Sequence, residues 1–248
     1  MDLHDRVILV TGGGTGIGRA IAHEFARRGA NVGVVFSRSK AEAEATVRDL
    51  IDLGVQADAF QADVADSGAV QRVVQQAQRR FNRLDVLVNN AGATRFVPFT
   101  DLEGLTEADW DRVMSVNVKG PWMLAKAAAP ALRETTGSIV NVSSGAGVRA
   151  AGSNLAYAVS KAALIHLTTC LAVAMAPAVR VNAVAPGLCR TPLLLTVWSD
   201  EQIQAMEARA PLRRAVDLDD LARATVELAS NTSITGETLF VDAGLRLV

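Results

Sequence analysis

Seven short aliphatic runs punctuate this chain, and a longer amphipathic stretch separates each neighbouring pair. Val7–Val10, Val32–Phe36, Ala57–Ala62, Val86–Val88, Ser138–Val142, Val179–Ala185 and Thr238–Val241 read as strands. Gly16–Arg28, Ala41–Leu53, Gly68–Arg80, Trp110–Arg133, Ala156–Met175 and Leu218–Ala229 read as helices. A strand with one wet face alternates apolar and polar residues, whereas near-continuous apolar runs mean that both faces are covered. Helical connections then carry the chain across by right-handed crossovers between parallel strands. The expected architecture is α/β, a single domain over residues 1–248 with a doubly wound parallel sheet and helices on both faces. One stretch breaks the rhythm. From Gly187 to about Asp217 the chain is long, partly helical and rich in leucine and arginine, which suits a substrate lid at about 188–216.

The composition narrows the function classes. A length of 248 residues with 50% hydrophobic residues fits one large domain with a substantial core. A net charge of −1 gives no electrostatic case for nucleic acid or an anionic membrane as partner. Cys170 and Cys189 lack metal-ligand spacing, and His4, His23 and His166 are scattered, so reduced thiols and no metal site are expected. The first residues show no basic-then-apolar leader, and no apolar run is expected to approach the ~18 residues of a membrane span. The expected location is cytoplasmic.

The glycine cluster after the first strand carries the first chemistry. Gly12-Gly13-Gly14-Thr15-Gly16-Ile17-Gly18 holds five glycines in seven residues and opens the first helix. It reads as G-x-x-x-G-x-G through Gly12, Gly16 and Gly18. Such a turn lets backbone approach a pyrophosphate at a helix N-terminus, so it reads as a dinucleotide site rather than an ordinary turn. Asp63 and Val64 close the third strand; Asp63 would either accept a hydrogen bond from an adenine amino group or cap the next helix. Asn90, Ala91 and Gly92 follow the fourth strand, at the carboxyl edge where open α/β sheets bind ligands.

Tyr157, the only tyrosine, stands four residues before Lys161 in an expected helix, so the two share a face. An ammonium fixed beside a phenol would stabilise the phenolate and make the pair a general acid/base unit. Ser144 ends the fifth strand 13 residues before Tyr157, a span that can fold back to place both hydroxyls on one carbonyl. Asn117 lies within an apolar helical stretch, as a structural hydrogen bonder or as part of a proton path.

Taken in order, the glycine turn, Asn89-Asn90-Ala91-Gly92, Asn117, Ser144, Tyr157 and Lys161 closely resemble the short-chain dehydrogenase/reductase family, from Arg6 to about Gly244. The resemblance implies a Rossmann fold with a seven-stranded sheet in the order 3-2-1-4-5-6-7. It also implies hydride transfer between a nicotinamide and a carbonyl or secondary alcohol. In the roles it implies, Tyr157 donates the proton and Ser144 steadies the oxyanion. Lys161 would lower the Tyr157 pKa and bind the nicotinamide ribose, and Asn117 would hold the water that reprotonates Lys161. Pro186, Gly187 and Thr191 would contact the carboxamide.

Cofactor choice turns on the end of the second strand. An acidic residue there binds the ribose 2′-hydroxyl of NAD, but here Phe36 is followed by Ser37, Arg38 and Ser39, suited to a 2′-phosphate. NADP(H) is therefore favoured and NAD(H) possible, because Thr15 stands where many NADP-dependent relatives carry a basic residue. The chain resembles 3-oxoacyl-thioester reductases and general ketoreductases, with a small carbonyl, alcohol or acyl-thioester substrate. A secondary alcohol dehydrogenase of sugar or steroid type and a silent scaffold are the alternatives. Specificity is expected in Ala93–Phe99, Gly145–Asn154 and Leu188–Pro211, with Arg149, Arg190, Arg213 and Arg214 as a basic patch for a carrier protein. Trp110 and Trp122 read as helix packing residues, and Trp198 sits in the lid. Alanine-rich faces on Trp110–Arg133 and Ala156–Met175 suggest a four-helix bundle between paired copies. The family resemblance implies the same interface, doubled into a homotetramer through the C-terminal strand and Leu245–Val248, with a homodimer second.

Overall fold

The computed structural model describes residues 1–248. Seven parallel strands form one sheet in the order β3-β2-β1-β4-β5-β6-β7. They are β1 (Val7–Thr11), β2 (Asn31–Phe36), β3 (Ala57–Gln61), β4 (Val86–Asn89), β5 (Ser138–Val142), β6 (Arg180–Pro186) and β7 (Thr238–Val241). Strand side chains alternate between faces, so the apolar runs build two cores. Ile8, Val10, Val32, Val34, Val88 and Val140 face one, with Ile21 and Phe25 of α1 (Gly16–Arg27), Leu50 of α2 (Lys40–Asp52) and Leu221 of α9 (Leu218–Ser230). Val7, Leu9, Leu87, Ile139 and Val181 face the other, with Val73 of α3 (Ser67–Phe81), Leu124 and Leu132 of α5 (Gly120–Glu134) and Met175 of α6 (Leu155–Met175).

The expected single helix Trp110–Arg133 is more elaborate. It begins earlier as α4 (Glu107–Met114), because Thr106 and Asp109 form a reciprocal capping box. A π turn, Ser115–Lys119, then joins α4 to α5. The added residue re-registers the backbone at Asn117, as π turns do near functional sites. Trp110 and Trp122, expected as helix packing residues, are 39% and 45% exposed, and the Lys126 ammonium lies over the Trp122 ring.

Between β6 and α9 stand α7 (Pro192–Leu195) and α8 (Asp200–Arg209), the segment expected as a lid. By length and composition α6 is apolar enough to cross a membrane, with mean hydropathy 1.6 over its best window. Polar residues such as Ser160, Lys161 and Thr168 interrupt its apolar runs, which is why counting runs missed it. Here those polar residues are buried against the sheet and the π turn.

Candidate active site

Strand order reverses between β1 and β4, and the loops there leave a crevice at the carboxyl edge of the sheet. A cleft of about 480 Å³ opens at that edge, within the usual range for small-molecule sites. Gly12, Thr15, Gly16, Ile17, Gly18, Asn90, Ala91, Gly92, Ser144, Tyr157, Lys161, Pro186, Gly187 and Thr191 all line it. Residues scattered through the chain thus converge because each follows a strand end or opens a helix.

The glycine turn fits a phosphate-bearing cofactor. Gly12 and Gly16 take φ of +64° and +51°, in the left-handed region that side chains resist. A Cβ on Gly18 would lie 2.2 Å from the Gly12 carbonyl oxygen, so α1 closes onto the turn only with glycine there. Asn90 Nδ2 donates to the carbonyls of Thr11 and Gly12 at 2.9 and 3.1 Å, tying the turn to the end of β4. Gly14 lies behind the turn, its carbonyl accepting from Thr46 of α2.

The residues expected to hold the nucleotide's far end fall outside the cleft lining. Ser37, Arg38 and Ser39 are exposed beyond β2, and the Arg38 guanidinium has no hydrogen-bond or ion-pair partner in the protein. Asp63 is not a helix cap; Asp66 holds that place, accepting from the Ala69 N–H. The Asp63 carboxylate instead accepts from the Ala65 N–H and pairs with Arg112 at 2.9 Å. Partial desolvation opposes its charge, but the Ala65 bond and the cations of Arg112 and Arg38 outweigh it and hold the pKa below the usual carboxylate value. Val64 is buried against Gly120.

Asn154 caps α6 and accepts the Tyr157 N–H at 2.7 Å, which seats the tyrosine in the first turn. Lys161 follows one turn on, its Nζ donating to the Val142 carbonyl at 2.8 Å and lying 5.6 Å from the Tyr157 ring centroid. Ser143 Oγ donates to the Lys161 carbonyl, locking α6 to β5. The expected electrostatics need correction. Burial pushes the Tyr157 phenol above its ordinary value, the adjacent Ser144 hydroxyl pulls it down, and neighbouring Cys189 adds to the rise. Burial also lowers Lys161 to about 8, its ammonium being directed at Val142 rather than at the phenol oxygen. Burial therefore sets the direction of both shifts in this geometry.

Asn117 stands outside the cleft lining. Its Nδ2 donates to the Ala93 carbonyl and to Ser160 Oγ, both at 3.0 Å, and its Oδ1 accepts the Ala93 N–H at 2.7 Å. Both amide donors are spent on bracing the loop after β4 against α6. Of the expected basic patch only Arg149 lines the cleft. Arg190 is held by Glu207 through two bonds, Arg213 donates to the Ala208 carbonyl, and Arg214 lies 3.7 Å from Asp220.

Three lining residues had no signal in the sequence: Asp242, Leu245 and Arg246 arrive from the C-terminal segment with no local motif, whereas Cys189 falls within the Leu188–Pro211 range. The Asn154 cap was legible as an asparagine three residues before Tyr157. Phe96, Trp198, Met206 and Arg209 fall within ranges expected to set specificity, and all four line the cleft.

Comparison with known proteins agrees with this geometry. A family model described as Enoyl-(Acyl carrier protein) reductase matches residues 12–246. A Streptomyces violaceoruber protein named, provisionally, as ketoacyl reductase 2 of the granaticin polyketide synthase is 41% identical over 98% of this chain and 96% of its own. The 3-oxoacyl-(acyl carrier protein) reductase FabG of Staphylococcus aureus is 39% identical over 96% of this chain and 97% of its own. The solved Pseudomonas aeruginosa RhlG/NADP active-site complex superposes with a TM-score of 0.91 at 29% identity, covering 99% of this chain and 98% of that one. With a match that takes in the glycine turn, the π turn and the Tyr157–Lys161 helix, this chain belongs to the short-chain dehydrogenase/reductase family of nicotinamide-dependent oxidoreductases.

Proposed function

We propose that the chain reduces ketones of the 3-oxoacyl-thioester type with NADPH. The observation that carries this reading is the meeting of Ser144, Tyr157 and Lys161 on one wall of a cleft that also holds the glycine turn. When bound, the nicotinamide supplies the hydride. Gly12, Gly16 and Gly18 with the N-terminus of α1 would hold its phosphates, and Pro186, Gly187 and Thr191 its nicotinamide end. Ser144 and Tyr157 hydroxyls donate to the substrate carbonyl oxygen, which polarises it and fixes its orientation. Tyr157, kept protonated by burial, passes its proton to that oxygen as charge develops there. Lys161 offsets the negative charge left on the phenol. Incubation with NADPH and a ketone panel that includes acetoacetyl thioesters, followed at the nicotinamide absorbance, tests the reading. Absence of turnover across the panel would remove it.

The preference for NADPH is supported by the unpaired Arg38 and by the lack of a carboxylate after Phe36. Arg38→Ala should weaken NADPH by about 1.5–3 kcal/mol, the range for a hydrogen bond to a charged group, and leave NADH nearly unaffected. Equal losses for both cofactors, or a parent preference for NADH, would overturn it. Two free cysteines, Cys170 exposed and Cys189 buried, suit a cytoplasmic, reducing setting.

A homotetramer is the proposed assembly. Trp122 on α5 and Val159 and Val173 on α6 are large apolar side chains left exposed at 45%, 45% and 78%, beside small residues that allow close helix approach. Leu239 on the edge strand β7, with Leu247 and Val248, offers a second apolar face. Light scattering at micromolar concentration should give four times the chain's 26.1 kDa. A folded, active monomer would show that these faces need no partner.

A further inference from the structure

Phe96, Leu193, Trp198 and Met206 also line the cleft, and neither cofactor binding nor proton transfer uses them. The charge of the cleft is one-sided. Among the lining side chains Arg149, Lys161, Arg209 and Arg246 are cations, and Asp242 is the lone carboxylate. Most of these cations are already engaged. Lys161 is bound to the Val142 carbonyl, and Arg149 donates to the Leu245 carbonyl. Arg246 lies over the Phe240 ring at 4.7 Å and 3.9 Å from Asp242. Arg209, in the last turn of α8, is the exception. It makes no hydrogen bond, ion pair or ring contact with the protein, although Arg190, Arg213 and Arg214 of the same segment are all tied down.

Arg209 is solvent-exposed where it lines the largely apolar cleft, so its guanidinium is free to meet the paired oxygens of a carboxylate or phosphate on a ligand. We infer that Arg209 is a specificity-determining residue. It takes an anionic group that the substrate carries at the end of an apolar stretch leading from the carbonyl at Ser144 and Tyr157. Arg149, whose partner is the neutral Leu245 carbonyl, adds to the attraction. The inference rests on the ketoreductase reading and deepens it, naming the substrate as a ketone with an anionic tail, either a carboxylate or a phosphate ester.

Three substrates with the same 3-oxoacyl group separate the possibilities: the neutral N-acetylcysteamine thioester, the coenzyme A thioester and a 3-oxo ester ending in a carboxylate. The readout is the ratio of kcat/KM for each charged substrate to that of the neutral one. Arg209→Ala should lower that ratio by about tenfold to a hundredfold through KM. Arg209→Glu should lower it further, and Arg209→Lys should restore part of it. Loss confined to the coenzyme A thioester identifies the phosphate as the anion, and loss confined to the ester identifies the carboxylate. An unchanged ratio overturns the inference, as does a fall in NADPH affinity of the same size, which would give Arg209 to the cofactor. Quenching of tryptophan fluorescence by the coenzyme A thioester and the carboxylate ester measures binding without turnover. It therefore decides the role of Arg209 even if no ketone is reduced, the result that would remove the ketoreductase reading alone.

Discussion

Replacing Tyr157 with phenylalanine should lower turnover by on the order of 10²-fold or more, with NADPH affinity little changed. The ring keeps its place because the Asn154 cap grips the Tyr157 backbone rather than the hydroxyl. What is lost is the only phenol in the chain, one held protonated at neutral pH by burial. Near-normal turnover in this variant would take Tyr157 out of the mechanism. A pH profile of the parent enzyme gives a second reading of the same pair. Burial lowers Lys161 from its ordinary value to about 8, so its charge is present below that pH and lost as pH rises through it. In the proposed mechanism reduction leaves negative charge on Tyr157, which the ammonium offsets, so kcat/KM for reduction should fall above about 8. A profile flat to pH 10 would mean that the Lys161 charge plays no part in the rate.

Gly18→Ala should cost the protein both stability and cofactor. The new Cβ would meet the Gly12 carbonyl oxygen at 2.2 Å and Asn90 Nδ2 at 2.4 Å. Neither neighbour can give way easily, since one is backbone and the other holds the turn through two hydrogen bonds. Overpacking of this kind typically costs about 1–3 kcal/mol, which for a chain of this size lowers Tm by roughly 2–12 °C. Because the clash falls on the turn that would receive the phosphates, NADPH affinity should drop by more than tenfold, the equivalent of about 1.4 kcal/mol. Gly145→Ala is the control: its Cβ would meet only the Pro186 carbonyl at 3.6 Å, an ordinary contact. Equal behaviour of the two variants in thermal melts and cofactor titration would refute the steric account.

The repeating pattern of the sequence determined the sheet. Runs such as Val7–Val10 and Val32–Phe36 are apolar on both faces, and only a parallel sheet covered on both sides buries them. The glycine turn and the Tyr157–Lys161 spacing were legible for the same reason: their geometry is set within a turn or two of backbone. Helix α6 shows where that logic weakens. The sequence places Tyr157 and Lys161 on one face, but not what each faces, and their proton affinities follow from burial and from the Val142 carbonyl on β5. The π turn at Asn117 and the exposure of Trp122 were likewise invisible, because they depend on how α4 and α5 meet α6 and the loop after β4. The charge balance of the cleft is the clearest case. Arg190, Arg209, Arg213 and Arg214 look equivalent along the chain, and only the tertiary structure brings Glu207, the Ala208 carbonyl and Asp220 to three of them and leaves Arg209 unpaired on the cleft wall. An ion pair acts over a few ångströms of space, whatever the distance along the chain, so no local pattern encodes which guanidinium stays free.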